Sequence, residues 1–246
     1  MTRLNTRLVA LILLVAITLI VAIGFWVFST EVRDPQSRAF LQWWRGDEQT
    51  RASLITSARD ACPEAPFVLP ADGFIGLFYG DPRGPYSRSN PHQGIDIFSP
   101  AGPGLTPVYA ASDGYITRES DWRSSLIQRV PDDPLNPGQQ IWLYYTHMAD
   151  QRGQEDFIEE AFAPGTRELF VEQGTLLGFT GNYSGNPVRP VGVHLHFSIV
   201  KDNGSGSYLN ELEFANTVDP SPYLSMPINY GCAPVVPGCS QDVTCN

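Results

Sequence analysis

The chain has 246 residues, enough for one membrane segment and one domain with a substantial core. Its formal net charge is −10, and Lys201 is its sole lysine. The clustered positive charge that a phosphate backbone demands is therefore missing, which excludes nucleic acid as a partner.

Residues 1–7 are a short N-terminal segment carrying Arg3 and Arg7. Leu8 to Phe28 then runs without a charge and, as a helix, spans roughly 30 Å, the thickness of a bilayer core. A cleaved signal peptide is the rival reading, but its apolar core is usually about 7–15 residues long and ends in a small-x-small site. Here the run is longer and ends in Gly-Phe-Trp-Val-Phe, so residues 8–28 read as an uncleaved transmembrane anchor. Basic residues ahead of the run place residues 1–7 in the cytoplasm and the remainder outside. The expectation is a single-pass protein of the cytoplasmic membrane with an extracytoplasmic domain.

Residues 29–66 read as a juxtamembrane helical spacer. Phe40, Trp43, Trp44, Leu54, Ile55 and Ala58 fall at helical spacing, and Gly46–Asp47 interrupts them. This stretch either lifts the domain off the membrane, packs on the domain, or lies at the interface. Residues 67–225 change character. Short apolar runs alternate with turns rich in Gly, Pro, Asp and Asn, and glycine and proline are plentiful throughout (22 and 21). Strands are expected at 74–79, 95–98, 107–111, 114–118, 126–130, 141–147, 175–180 and 194–200, with a short helical piece at 156–162. The fold class is all-β, an antiparallel sheet core behind one transmembrane helix. Residues 226–246 form a Cys- and Pro-rich tail expected to wrap over the core. Of the cysteines Cys62, Cys232, Cys239 and Cys245, three lie in that tail. The even count and the compartment favour disulfides, with Cys62 joined to a tail cysteine.

The chain has four histidines. His92 and Asp96 stand in Pro-His-Gln-Gly-Ile-Asp-Ile-Phe, and on a strand this even spacing places both on one face. A histidine nitrogen with an aspartate oxygen suits Zn²⁺, although the pair alone is a weak signal. His194 and His196 stand in Val-His-Leu-His-Phe, sharing one face while Leu195 and Phe197 take the other. Two buried imidazoles on one face are costly unless they bind something. His147 closes Ile-Trp-Leu-Tyr-Tyr-Thr-His. Three ligands drawn from His92, Asp96 and one of His194 and His196 would leave a fourth tetrahedral position open, the pattern of a hydrolytic site rather than a structural one. The remaining histidines would then serve acid–base and oxyanion roles.

These elements occur in an order that resembles the lysostaphin-like, or LytM-type, zinc endopeptidases. His92-Gln-Gly-Ile-Asp96 is followed by Thr106-Pro-Val-Tyr-Ala-Ala-Ser-Asp-Gly114. Tyr145-Thr-His147 comes next, then Gly174-Thr-Leu-Leu-Gly178-Phe-Thr-Gly181, then His194-Leu-His-Phe197. The resemblance covers about Phe74 to Val200. It implies a sandwich of the duplicated-hybrid-motif type and one Zn²⁺ per chain held by His92, Asp96 and His196. His147 and His194 would be the catalytic histidines, one deprotonating water and the other stabilising the oxyanion or protonating the leaving amine. The implied substrate is a peptide cross-link of peptidoglycan, and the membrane is met through the N-terminal helix. The chain departs from the pattern at 102–105, 131–140 and 182–192, where longer loops flank the groove. The alternative is a catalytically silent LytM-type module that regulates another cell-wall hydrolase; such relatives typically lack ligands, and this chain keeps every one.

Overall fold

A computed structural model describes residues 6–57 and 62–243. Arg3, Ala58 and Cys245 lie outside the described residues. Helix α1 spans Thr6–Arg33 and contains a segment, Val9–Trp26, that is long and apolar enough to cross a membrane as an anchor or a signal sequence. It ends where Asp34 turns extended (φ −63°, ψ 122°) ahead of Pro35, a residue that disfavours helix at the position before it. Asp34 also caps the next helix, α2 (Pro35–Arg45), by accepting from Ser37 N–H. The expected break at Gly46–Asp47 is present, and α3 (Glu48–Ala52) follows it.

The β domain is built from β1 (Phe74–Leu77), β2 (Ile95–Phe98), β3 (Pro107–Tyr109), β4 (Gly114–Thr117), β5 (Leu126–Val130), β6 (Ile141–Thr146), β7 (Leu169–Val171), β8 (Leu176–Phe179), β9 (His194–Lys201) and β10 (Thr217–Val218). The large sheet has the order β1-β2-β9-β6-β5-β4-β7, with β10 added to β9, and β3 pairs with β8 in a small second sheet. Every pairing within them is antiparallel. Val108 and Leu177 of the small sheet share one buried cluster with Ile97, Leu143, Leu195 and Phe197 of the large sheet, so the two sheets form layers around a common core.

Alternation divides the large sheet. Ile95, Ile97, Leu195, Phe197 and Ile199 face that core. The opposite face carries two aromatic clusters with a polar stripe between them. On one side α2 lays Ala39 and Trp43 on Phe74 and Phe98. On the other, Ile127, Trp142 and Val200 gather Trp122, Tyr144 and Tyr208. Of the readings open for the juxtamembrane segment, α2 therefore packs on the domain. The stripe between the clusters holds Asp96, His194, His196 and Ser198, all buried.

The start of the tail is part of the core: its Met226 and Ile228 join Tyr223 and Leu224, which α4 (Ser221–Leu224) buries. Cys62 pairs with Cys239 across 177 residues of sequence, and Cys232 is also disulfide-bonded. Two expectations need correction. His92 is not on a strand, because β2 begins at Ile95. Gly94 lies so close to β9 that a Cβ there would meet the Phe197 carbonyl oxygen at 2.2 Å, and the chain bends before pairing. The piece at 156–162 is helical only as a 3-10 turn at Glu160–Phe162, because Asp156 and Ile158 bridge to Ala149 and Gly178 instead. Two strands were not expected, β7 and β10.

Candidate metal centre

Three chain segments meet at the polar stripe. The β2–β9 register sets Asp96 opposite His196 and Phe98 opposite His194. The β6–β9 register sets Thr146, the last residue before His147, opposite the same His196. His92 comes in from the bend ahead of β2. Its backbone N–H donates to the Asp81 carbonyl at 2.9 Å, and its ring lies against Tyr86 with centroids 4.5 Å apart.

His92, Asp96 and His196 each offer a ligand atom within 4.8 Å of the others, and all three are buried. The inward atoms are closer than that limit. His92 Nε2 is 3.0 Å from His196 Nδ1 and 3.2 Å from Asp96 Oδ1, and His196 Nδ1 is 2.9 Å from the same oxygen. The outward nitrogens decide what faces inward. His92 Nδ1–H donates to the Phe78 carbonyl at 3.0 Å, and His196 Nε2–H donates to Glu211 Oε1 at 2.8 Å. With those protons assigned by their partners, both inward nitrogens present lone pairs to each other and to a carboxylate oxygen. Lone pairs converging in this way need a positive charge between them, which a proton on an imidazole or a metal ion can supply, and imidazole with carboxylate is a donor set that suits Zn²⁺. The residues present thus fit a zinc ion.

The electrostatics of the cluster agree. Burial alone would raise the Asp96 carboxyl. The facing His92 and His194 and the hydrogen bonds from His196 and His92 reverse that and hold it well below the ordinary carboxylate value. Burial opposes charge on His196, yet Glu211 and Asp96 together push it up to about 10. The pocket therefore favours positive charge where the three donors meet.

His147 and His194 differ. Their rings lie side by side with centroids 4.5 Å apart. His194 Nδ1–H donates to the Gly192 carbonyl at 2.7 Å, and His147 Nδ1–H to the Tyr183 carbonyl at 2.6 Å. Each keeps an Nε2 lone pair for the site. Burial pushes His194 down, aided by the charges of His196 and His92. Burial, followed by the charges of His194 and His196, pushes His147 down to about 3. Both are held neutral near pH 7, in the state a proton acceptor needs. His194 Nε2 is 3.6 Å from Asp96 Oδ1, outside hydrogen-bond range, and its ring is stacked on Phe98 with centroids 5.0 Å apart. His147 adopts φ +74°, a left-handed conformation uncommon for a residue with a side chain. Such backbone, costing of order 1–3 kcal/mol, concentrates at functional sites.

All five residues picked out in the sequence come together here. His147 and His196 line a groove of about 630 Å³ together with Tyr86, Arg123, Tyr144, Tyr183 and Glu211. Sequence reasoning missed Tyr86 and Glu211. Tyr86 stands six residues before His92 in a turn-rich stretch with no spacing signal, and Glu211 comes from a loop that leaves the motif and returns.

No protein-family model and no curated protein matches the chain. Among solved structures, it is similar to the catalytic domain of lysostaphin from Staphylococcus simulans, with 20% identity over 61% of this chain and 90% of that one, at a TM-score of 0.40. Against a longer lysostaphin structure the identity is 22%, over 68% of this chain and 56% of that one, at a TM-score of 0.38. A zinc-containing peptidase from Vibrio cholerae gives 21% over 58% of this chain and 38% of that one, at 0.36.

Proposed function

We propose that the chain is a zinc-dependent endopeptidase that cuts peptide cross-links of peptidoglycan, held at the outer face of the cytoplasmic membrane by α1. The observation that carries the reading is the division of four histidines, three buried and His147 partly so, into two kinds. Two join Asp96 with their lone pairs converging on one point, and two stand beside that point with lone pairs free and protons tied to backbone carbonyls. The order of motifs along the sequence supports it independently.

In this reading His92, Asp96 and His196 hold the metal, which when bound supplies a Lewis acid that polarises the scissile carbonyl and acidifies water. His147 and His194 move the protons. Each can accept one at Nε2 because its Nδ1–H is fixed on a carbonyl, and each returns it most readily when its own pKa is low. The open groove admits an extended peptide rather than a folded chain. The apolar α1 and the Cys62–Cys239 disulfide support placement outside the cytoplasm.

The test is zinc content together with release of new amino and carboxyl termini from purified sacculi. Asp96→Ala and His196→Ala should lose most of the metal. His147→Ala and His194→Ala should keep it and turn over roughly 10²–10⁴-fold more slowly, the usual contribution of one acid–base group. Zinc-loaded wild type that releases nothing from several cross-link types would sink the enzymatic reading and leave the regulatory module as the account. If His194→Ala loses zinc while His196→Ala retains it, the two roles are exchanged.

A further inference from the structure

Each of the four histidines commits its outward N–H, but the acceptors differ in kind. His92, His147 and His194 donate to the backbone carbonyls of Phe78, Tyr183 and Gly192. His196 alone donates to an ionisable side chain, Glu211, at 2.8 Å. A carbonyl partner comes with the fold. A carboxylate partner has to be placed, and it brings a full negative charge to within one imidazole ring of the three converging donors.

The placement is reinforced at several points. Glu211 Oε1 also accepts from Ser198 Oγ at 3.1 Å, and Ser198 lies two residues beyond His196 on the same face of β9. The loop bearing Glu211 is tied down on either side: Leu212 N–H donates to Asn210 Oδ1, and Asn216 Nδ2 donates to the Asn210 carbonyl. The Leu212 carbonyl accepts from Gln93 Nε2 at 3.1 Å, which links the loop to the neighbour of His92. The Glu211 side chain is only 14% exposed. Burying a carboxylate to that degree is costly unless positive charge compensates it. Ser198 supplies one neutral hydrogen bond, so the compensation comes from the His196 side.

We propose that Glu211 is a positioning residue for the metal centre. It fixes His196 in the Nε2–H tautomer, holds its ring plane toward His92 and Asp96, and makes Nδ1 a stronger donor to the ion. The inference rests on the zinc reading above and extends it to a residue outside every motif. A carboxylate hydrogen-bonded behind a ligating imidazole raises that ligand's basicity, and its loss typically costs 10–100-fold in metal affinity or activity. With Asp96 it also supplies two negative charges near a divalent cation, so the buried centre is close to neutral overall.

The experiment measures zinc affinity of the full-length protein by chelator competition for wild type, Glu211→Gln, Glu211→Ala and Ser198→Ala. The ¹⁵N shifts of His196 report its tautomer, and thermal melting reports folding. Glu211→Ala is expected to bind zinc about 10–100-fold more weakly, with the His196 tautomer no longer fixed. Glu211→Gln keeps the shape and an accepting oxygen without the charge, so it should hold the tautomer and lose part of the affinity. Ser198→Ala should have a smaller effect in the same direction. Folded Glu211 variants that bind zinc within about twofold of wild type would overturn the proposal while leaving the zinc reading intact. Should Glu211→Ala fail to fold, the isosteric Gln variant decides by the same criterion. Wild type that binds no zinc would overturn the underlying reading, and this proposal with it.

Discussion

Replacing Trp43 by alanine tests whether α2 is structural for the candidate site or merely a leash. Trp43 is 4% exposed and stacks on Phe74 with ring centroids 5.4 Å apart. Phe74 belongs with Phe98 in the cluster that α2 covers, and Phe98 stacks on His194. Phe40 and Trp44 close the edges of Phe98, with centroids at 5.3 and 6.0 Å. Truncating a fully buried tryptophan costs about 3–5 kcal/mol in transfer and cavity terms. In a domain of this size one kcal/mol moves Tm by about 2–4 °C, so the melting temperature of the full-length protein in detergent should fall by roughly 10 °C. Leu41→Ala, on the exposed side of the same helix, should change stability by no more than about 0.5 kcal/mol. A cycle with Phe74→Ala should return a coupling of about 0.5–1.5 kcal/mol for the stacked pair. Turnover should fall further than zinc content, because the loosened Phe98 backs His194, which is not one of the proposed ligands. A Trp43→Ala protein that melts within about 2 °C of wild type would refute the reasoning, since a leash predicts that result.

Three further outcomes are expected. Reduction of Cys62–Cys239, or Cys62→Ser, should lower stability by roughly 2–5 kcal/mol, measured by denaturant titration, because the bridge closes a very long loop; an unchanged midpoint would refute it. Burial works against a charged Asp202, but the Trp142 indole N–H, the Gly204 and Gly206 N–H groups and Gln140 outweigh it and hold its pKa below the ordinary value. Its folded pKa is depressed, so its contribution is present above the unfolded value and lost as pH falls through the folded one; Asp202→Asn should flatten the acid limb of a Tm-against-pH profile without altering its alkaline limb. Protease added outside spheroplasts should release the β domain from the membrane, and cutting only from the cytoplasmic side would reverse the proposed topology.

The fold was legible where two-residue alternation is enforced by burial. β2, β5, β6, β8 and β9 each bury side chains on the core face, and their expected limits agree with those observed to within one residue. β7 left no signal because it is a three-residue edge strand with Leu169 and Phe170 turned to solvent. β10 is a two-residue addition whose pairing comes from β9 rather than from its own composition. The helical reading of 156–162 failed for a related reason. Gly178 has no Cβ to hold off the chain, so Ile158 pairs with it, and that tertiary pairing overrides the local helical tendency.

The candidate site divides along the same line. His194-x-His196 shows in the sequence because both residues occupy one face of one strand, and Asp96 because its strand is short and apolar on either side. The acceptor behind each ring fixes its outward proton, and none of these acceptors is encoded next to its histidine except Gly192. Phe78 precedes His92 by 14 residues, Tyr183 follows His147 by 36, and Glu211 follows His196 by 15. In the proposed reading, what divides these identical side chains into ligands and proton carriers is which of them converge on Asp96. Asp96 and Glu211 draw positive charge toward His196, while burial beside other imidazoles denies it to His147. A motif of histidine spacings locates such a cluster, and the returning loops orient the rings within it.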